Sequence, residues 1–562
     1  MNTLKKALAA ERFYLILCIV LGAVQAWICR YSMIADGVSY LDIGDAYFRR
    51  DWAAAINAYW SPMYSWCLGL ALYLLRPSIW WEFITAHFVN LVIYIGTLFC
   101  FRFFLHAVLR TVQQETAGSA ELFPFPEWAF LGMAYSIFLV SSLVLIDVGW
   151  VTPDLLAAGM VFLIAGYLIE LRNHHSYPKY ALFGALNALA YFAKGINFVL
   201  AFGFFAILLL EGKRSKSRVC GVLLSVATFL LVCSPFIYAL SKAEGKLTFG
   251  DTGKLVYSAL VYPNKPQIHW QGDPPGSGVP LHPTRKLMDN PSVFEFARPI
   301  RGTYPPWDDP AYWNDGTRWN FRLRSQLRVL VQSALAYSHL LLEESALLAG
   351  VLIFLFIGGK PTQAAILSNW PLLACAGLGL VAYSFVLVIP RYIGASIVLF
   401  WVAVLAGVRL PENETSRRLS EYVAGAVAIA LLLLVLGHVA DITYANLTVG
   451  DEASARDQVQ AAVDLRSMGL QSGDKVAIVG YGMNNHWARL ARFRIVSEVA
   501  PGPLELQAFW TLPQQRRNAA YECLSRTGAV AAVAWDPPPI AKENTPWKRI
   551  GETNYYAYFF RR

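Results

Sequence analysis

Blocks of apolar residues, separated by short polar turns, recur along most of this chain. Each block runs for roughly 18–25 residues, enough to cross a hydrocarbon core about 30 Å thick. They predict helices at about 13–30, 80–105, 127–146, 154–171, 180–195, 196–211, 219–240, 340–358, 365–389, 393–409 and 421–442, about eleven transmembrane helices in all. The apolar stretch at 62–75 is only about 14 residues long and suits a re-entrant or interfacial helix. Residues 321–342 (FRLRSQLRVLVQSALAYSHLLL) read as an amphipathic helix leading into the next span. The polar, Pro/Gly-rich stretch at 241–332 must lie outside the bilayer, where a segment so long is a lid, a binding loop or disordered. After residue 442 the pattern changes. DQVQAAVDLRSMG reads as a helix, DKVAIVG as a buried strand, QQRRNAAYECLSRTG as a helix and AVAAVAW as a second buried strand, with NYYAYFF closing the unit. That order predicts a small C-terminal α/β domain with a partly parallel sheet. The expected organisation is a polytopic α-helical membrane domain at 1–442, with a first external loop at 31–79 and a long one at 241–332. A soluble domain follows at 443–562.

Composition agrees. Of 562 residues 56% are hydrophobic and 15% charged, against roughly 25% charged in soluble domains. The run from Phe13 to Cys29 follows Lys5, Lys6 and Arg12 without a small-residue cleavage site, and reads as a retained first helix, not a signal peptide. Lys and Arg mark cytoplasmic loops, most clearly at Glu211 to Arg218, which carries Lys213 and Arg214. The 172–179 and 409–418 loops agree. The N-terminus is then cytoplasmic and, with an odd number of spans, the C-terminal domain lies outside. If 62–75 lies flat, Asp36, Asp147, Asp154, Lys194 and Arg391 share the outer face. A net charge of +9 is ordinary anchoring and points to no nucleic acid. The eight cysteines include no CxxC pair, so neither a disulfide framework nor a zinc cluster is expected.

The richest stretch for chemistry is 36–64, DGVSYLDIGDAYFRRDWAAAINAYWSPMY. Acids (Asp36, Asp42, Asp45, Asp51) interleave with aromatics (Tyr40, Tyr47, Trp52, Tyr59, Trp60), as a sugar-handling surface at a membrane requires. Asp36 suits a general base or a metal-binding carboxylate, and equally a turn residue before Gly37. Thr152-Pro153-Asp154 is ordinary helix-start chemistry; with Asp147 it also brackets one short loop with two carboxylates able to hold a divalent cation or a sugar hydroxyl. Lys194 and Arg391-Tyr392 suit ligands of a lipid phosphate, or interfacial anchors. The aromatics Trp52, Tyr59, Trp60 and Trp66 suit sugar stacking or a headgroup belt. His87, His269 and His282 are lone histidines with no assigned role. Gly480-Tyr-Gly482 is a fragment of a nucleotide loop without its third glycine or its acidic partner. Asn446-Leu447-Thr448 matches a glycosylation sequon, a motif common by chance.

Taken in order, these pieces resemble the GT-C superfamily of integral-membrane glycosyltransferases. The likeness is to the bacterial, glycosyltransferase family 39-like branch that includes lipid A aminoarabinose transferases and protein O-mannosyltransferases. Asp36-Gly37 with Tyr40 resembles the acidic motif of the first external loop. Tyr59-Trp60-Ser61-Pro62-Met63-Tyr64 resembles an HPPLY-type segment, with Ser61 and one Pro in place of His-Pro-Pro. Thr152-Pro153-Asp154 resembles the second acidic site, Ala193-Lys194-Gly195 the TKG segment and Arg391-Tyr392 the late RY. The resemblance covers roughly 10–410. It implies a polyprenyl-phosphate-sugar donor, a glycan, lipid or protein acceptor, and inverting hexosyl or pentosyl transfer on the outer face of the bacterial inner membrane. It implies Asp36 as base, and Asp154 orienting the acceptor or helping to bind a divalent metal ion, which Asp36 and Asp154 would then share. Lys194, Arg391 and Tyr392 would meet the donor lipid phosphate, and Tyr40, Asp42, Tyr59 and Trp60 the acceptor or sugar. No other cofactor is implied.

Two other readings compete. A transporter or flippase for a lipid-linked sugar should show paired halves and ionisable residues near the bilayer midplane. A non-catalytic envelope-assembly protein should depend on residues 443–562 and not on Asp36.

Overall fold

In the computed structural model, all eleven apolar stretches are helical. The structure describes residues 2–116, 122–173, 176–211, 215–261, 269, 283–314, 321–446, 451–539 and 546–560. His282, Lys213, Arg214 and Thr448 lie outside them. Seven helices among the described residues are long and apolar enough to cross a membrane: Lys5–Ile28, Ile79–Thr116, Glu127–Leu145, Asp154–Arg172, Lys216–Glu244, Ser345–Ser368 and Glu414–Tyr444. Tyr177–Ala193, Asn197–Leu210, Trp370–Ser384 and Pro390–Ala406 are shorter. Their ends are set by helix-stopping chemistry. Lys194-Gly195 closes the first, and proline in the first turn opens the last two. The chain is a multi-pass α-helical membrane protein with a sheet-containing C-terminal region.

Two helices outside the long set carry the first polar stretch. Ala35–Arg49 has an acid, Asp36, in its first turn, where the helix dipole favours it. Pro62–Leu75 spans 14 residues, about 21 Å at 1.5 Å per residue, short of the hydrocarbon core. The two pack backbone to backbone through Gly44 and Gly69. A Cβ on Gly69 would lie 2.6 Å from the Gly44 carbonyl oxygen, so only glycine permits the approach. The expected amphipathic helix is present as Leu323–Glu343, with Leu323, Leu327, Val331 and Leu335 exposed along one stripe.

The C-terminal strands are β3 (Lys475–Val479), β4 (Arg494–Val499), β5 (Ala531–Trp535), β6 (Trp547–Arg549) and β7 (Tyr555–Phe559). Two further strands, β1 (Thr284–Asp289) and β2 (Ser292–Phe296), come from the long 241–332 loop. Among the described residues they form one seven-stranded sheet of order β1-β2-β4-β3-β5-β7-β6. Strand β3 runs parallel to β4 and β5, whereas β2 joins β4 antiparallel with Val293 opposite Val499. The long loop is therefore stitched into the C-terminal sheet. The turn fragment at Gly480 is no phosphate cradle, because the Glu498 carboxylate already accepts the Gly482 N–H at 2.8 Å. His269 is likewise structural, pairing with Glu498 and stacking on Phe294 at 4.2 Å.

Buried apolar residues fall into two main clusters. One fills the helical bundle. The other is shared by both domains: Tyr40, Leu41, Tyr64 and Leu68 belong with Val476, Ile478, Ile495 and Val533. One hydrophobic core thus spans the Ala35–Arg49 helix and the sheet.

Candidate active site

Four helix ends meet at one cavity of about 210 Å³. The Ala35–Arg49 helix brings Asp36 in its first turn, and the Asp154–Asn173 helix opens on Asp154. Lys194 caps Tyr177–Ala193 in extended backbone, and Arg391 is the second residue of Pro390–Ala406. The charges alternate in a chain. Lys194 Nζ lies 2.5 Å from Asp154 Oδ1. Arg391 Nε faces Asp154 Oδ2 at 3.8 Å, and its Nη2 donates to Asp36 Oδ2 at 3.2 Å. Lys194 Nζ also sits 3.6 Å from the centre of the Tyr392 ring, a cation–π contact.

Arg391 is the hinge of this array. It bridges both carboxylates and donates to the Tyr392 hydroxyl at 3.4 Å, and its guanidinium lies 5.4 Å from the Trp150 ring. Its Nη1 is nevertheless buried without a hydrogen-bond partner. A buried charged donor left unpaired is costly, and this one belongs to the side chain best shaped to grip a phosphate. Beside the charges the cavity turns apolar, lined by Val199, Phe249, Val256, Val386 and Leu387. A charged head with an apolar tail is the shape of a lipid phosphate.

The aromatic residues close the other side. Tyr40, Tyr59 and Trp60 line the cavity, with Tyr40 edge-on to Trp60 at 5.1 Å and Tyr59 edge-on to it at 4.7 Å. Tyr40 and Trp60 are each 5% exposed, so they act mainly as packed walls. Burial, then the Asp36 and Asp154 charges, push the Tyr40 hydroxyl pKa well up. Burial, then Tyr392 and Asp36, raise that of Tyr59. Both phenols therefore stay protonated.

Three residues depart from the sequence expectation. Asp42 does not reach this cavity. It lies two turns further along its helix and accepts from Thr303 N at 2.6 Å and Arg489 Nη1 at 2.7 Å. Asp147 does not pair with Asp154; its Oδ1 accepts from Gln25 and Gly149, both at 2.7 Å, and it lines a different cavity. Trp307 was not singled out from the sequence. It lies in the short Pro305–Asp308 helix of the long loop, and its indole N–H donates to Asp36 Oδ1 at 3.2 Å. Trp60 Nε1 donates to the Trp307 carbonyl at 3.2 Å, and Asn57 to that of Asp308 at 2.8 Å, fixing the turn against the site. The only local signal was its aromatic-rich setting, TYPPW.

As for a metal, no three His, Cys, Asp or Glu side chains converge among the described residues. Asp36 and Asp154 are not face to face; Arg391 stands between them.

No protein-family profile matches the chain, and no curated protein matches its sequence. Solved structures are. ArnT from Cupriavidus metallidurans in the apo state matches over 97% of each chain, at 13% identity and a TM-score of 0.52. The same protein bound to undecaprenyl phosphate matches over 97% of each chain, at 14% identity and a TM-score of 0.55. An Archaeoglobus fulgidus oligosaccharyltransferase tethered to an acceptor peptide matches over 93% of this chain and 68% of that one, at 12% identity and a TM-score of 0.48. Across nearly the whole of both chains, membrane helices and C-terminal sheet alike, this protein shares the ArnT architecture: it has the GT-C fold.

Proposed function

We propose that this protein is a membrane glycosyltransferase that moves a hexosyl or pentosyl group from a polyprenyl phosphate to an envelope acceptor. The observation that carries the reading is the Arg391 array. Two cations and two carboxylates alternate at the mouth of an apolar cavity, with one buried guanidinium N–H unpaired. That ArnT, which has the same fold, was solved with undecaprenyl phosphate supports a polyprenyl-phosphate donor. The lipid phosphate meets Lys194 and Arg391, and the chain follows the apolar wall. The acceptor hydroxyl oxygen attacks the anomeric carbon as the bond to the phosphate oxygen breaks. Asp36 takes the hydroxyl proton. The negative charge growing on the departing phosphate is met by Lys194 and Arg391, which Asp154 holds in place. One displacement inverts the anomeric centre. Lys and Arg in the loops away from the site favour a cytoplasmic N-terminus and a site on the outer face of a bacterial inner membrane. The charges gather around one cavity at four helix ends, which supports the transferase reading.

The test uses purified protein in detergent with radiolabelled polyprenyl-phosphate sugars, following donor binding and release of free polyprenyl phosphate. Asp36→Asn should bind donor and release about a hundredfold less lipid phosphate. Lys194→Ala should weaken donor binding about tenfold or more. Release at the wild-type rate by well-folded Asp36→Asn would sink the assignment of the base.

A further inference from the structure

A second cavity, of about 400 Å³, lies where the membrane helices meet the C-terminal domain. It adjoins the site above: Val151 lines it, and Thr152 lines the first cavity. Met33 and Ile34 line it just before Asp36, and Trp150 lines it while its ring lies against the Arg391 guanidinium. Its polar groups converge from separate segments. Asp147 uses Oδ1 for Gln25 and Gly149, while its Oδ2 has, among the described residues, only His438 at 3.9 Å, beyond hydrogen-bond reach. The imidazole of His486, 8% exposed, has a buried Nε2 with no hydrogen-bond partner. Burial lowers its pKa to about 4, so the ring is neutral at physiological pH. The exposed Asn484 adds an amide, and Trp150 is 46% exposed.

The character of these groups selects a ligand. Asp147 is the one carboxylate, and no Lys or Arg lines the cavity among the described residues. The guanidinium groups of Arg30, Arg456 and Arg391 sit against the Tyr31 and Trp150 rings and do not line the cavity, so an anion would meet no lining cation and a cation only a single carboxylate. A carboxylate oxygen, a neutral imidazole and an amide together serve hydroxyls, which donate and accept. A half-exposed indole offers an apolar face to the C–H side of a sugar ring. We infer that this cavity is an acceptor subsite that holds an uncharged sugar residue, so the acceptor is a glycan or glycolipid. The inference rests on the glycosyltransferase reading and deepens it: the acceptor is a saccharide, held on the far side of Trp150 from the phosphate-binding pair.

The test places full-length protein in lipid nanodiscs on an array of uncharged, anionic and amino-sugar oligosaccharides, with peptides as controls. Undecaprenyl phosphate binding is measured on the same wild-type preparation. The expected result is retention of at least one uncharged oligosaccharide, weakened tenfold or more in Asp147→Asn and in Asn484→Ala. Melting temperatures report whether each variant is folded, and the exposed Asn484 keeps the test sharp if Asp147→Asn does not fold. If wild type binds undecaprenyl phosphate but retains no uncharged oligosaccharide, or retains it equally in folded variants, the subsite is overturned and the transferase reading stands. Retention of only anionic probes or of peptides overturns it too. If undecaprenyl phosphate does not bind, the transferase reading falls; variant-sensitive retention of sugar would then leave the cavity a saccharide site without its proposed acceptor role.

Discussion

At the residue scale, each charge around the cavity is paired with a group that fixes its direction. Asp36 shows this best: Arg391 holds one oxygen and Trp307 the other, both at 3.2 Å. A carboxylate loosened at one oxygen no longer points at a fixed acceptor. Trp307→Phe keeps the ring and removes the N–H. A hydrogen bond to a charged group is worth about 1.5–3 kcal/mol, so turnover should fall roughly tenfold while donor affinity stays within about twofold. Steady-state kinetics beside equilibrium donor binding would separate the two. The neighbouring Asp308 behaves differently. It is buried, its Oδ1 has no partner, and burial followed by the Asp42 and Asp309 charges raises its pKa well above the ordinary value. A raised acid costs stability as pH climbs from the unfolded pKa of about 4 toward the folded one. Asp308→Asn should therefore raise the melting temperature at pH 7–8 by roughly 2 °C, with the gain vanishing below about pH 4. Equal melting curves at neutral pH would contradict this.

At the scale of elements, the apolar blocks were legible because a membrane helix announces itself in local sequence. Asp154, Lys194 and Arg391 were legible because each stands at the end of such a block, and the bundle brings those ends together. Trp307 was not, since its partner Asp36 is 271 positions away and nothing in a loop records a contact of that range. Strand β4 was hidden for a related reason. Ser497 and Glu498 are fully buried yet polar, and Glu498 is satisfied by Tyr304, Gly482 and His269, all outside the strand. The Pro62–Leu75 helix stands on the glycine pair. Gly69→Ala would drive a methyl group into the Gly44 carbonyl and the Phe48 ring. We expect a loss of about 1–3 kcal/mol, and a fall in transfer rate because the Ala35–Arg49 helix carries Asp36. Thermal unfolding and donor-phosphate release on the same sample would show whether the two fall together.

Across the whole molecule, one buried side chain ties the C-terminal domain to the membrane helices. Arg489, whose side chain is 3% exposed, reaches Glu82 at 2.8 Å and Asp42 and Asp45 each at 2.7 Å. Arg492 adds a second contact to Glu82 at 2.8 Å. Arg489→Ala would leave Asp42 without a cation and Glu82 and Asp45 with Arg492 alone, a loss of about 3–5 kcal/mol. Burial pushes the Asp45 carboxyl up, and the Arg489 and Arg492 charges more than reverse it, so its pKa lies below the usual value. That stabilisation is complete above the unfolded pKa of about 4 and disappears as pH falls through the lowered folded value. Wild type should therefore lose interdomain protection in acid, and Arg489→Ala should show a weaker acid transition from an already lower plateau. Hydrogen exchange across pH 3–7 at β4 and at the Ala35–Arg49 helix would read both.

The hairpin of β1 and β2 also sets an order in time. Its partner strand is made about two hundred residues later, since Val293 pairs with Val499. At roughly 5–20 residues per second, the ribosome takes about 10–40 s to supply it. Until then the long loop has no sheet to join, and the turn bearing Trp307 lacks that anchor. The membrane helices can insert and pack before the strand that anchors the Trp307 turn has been made.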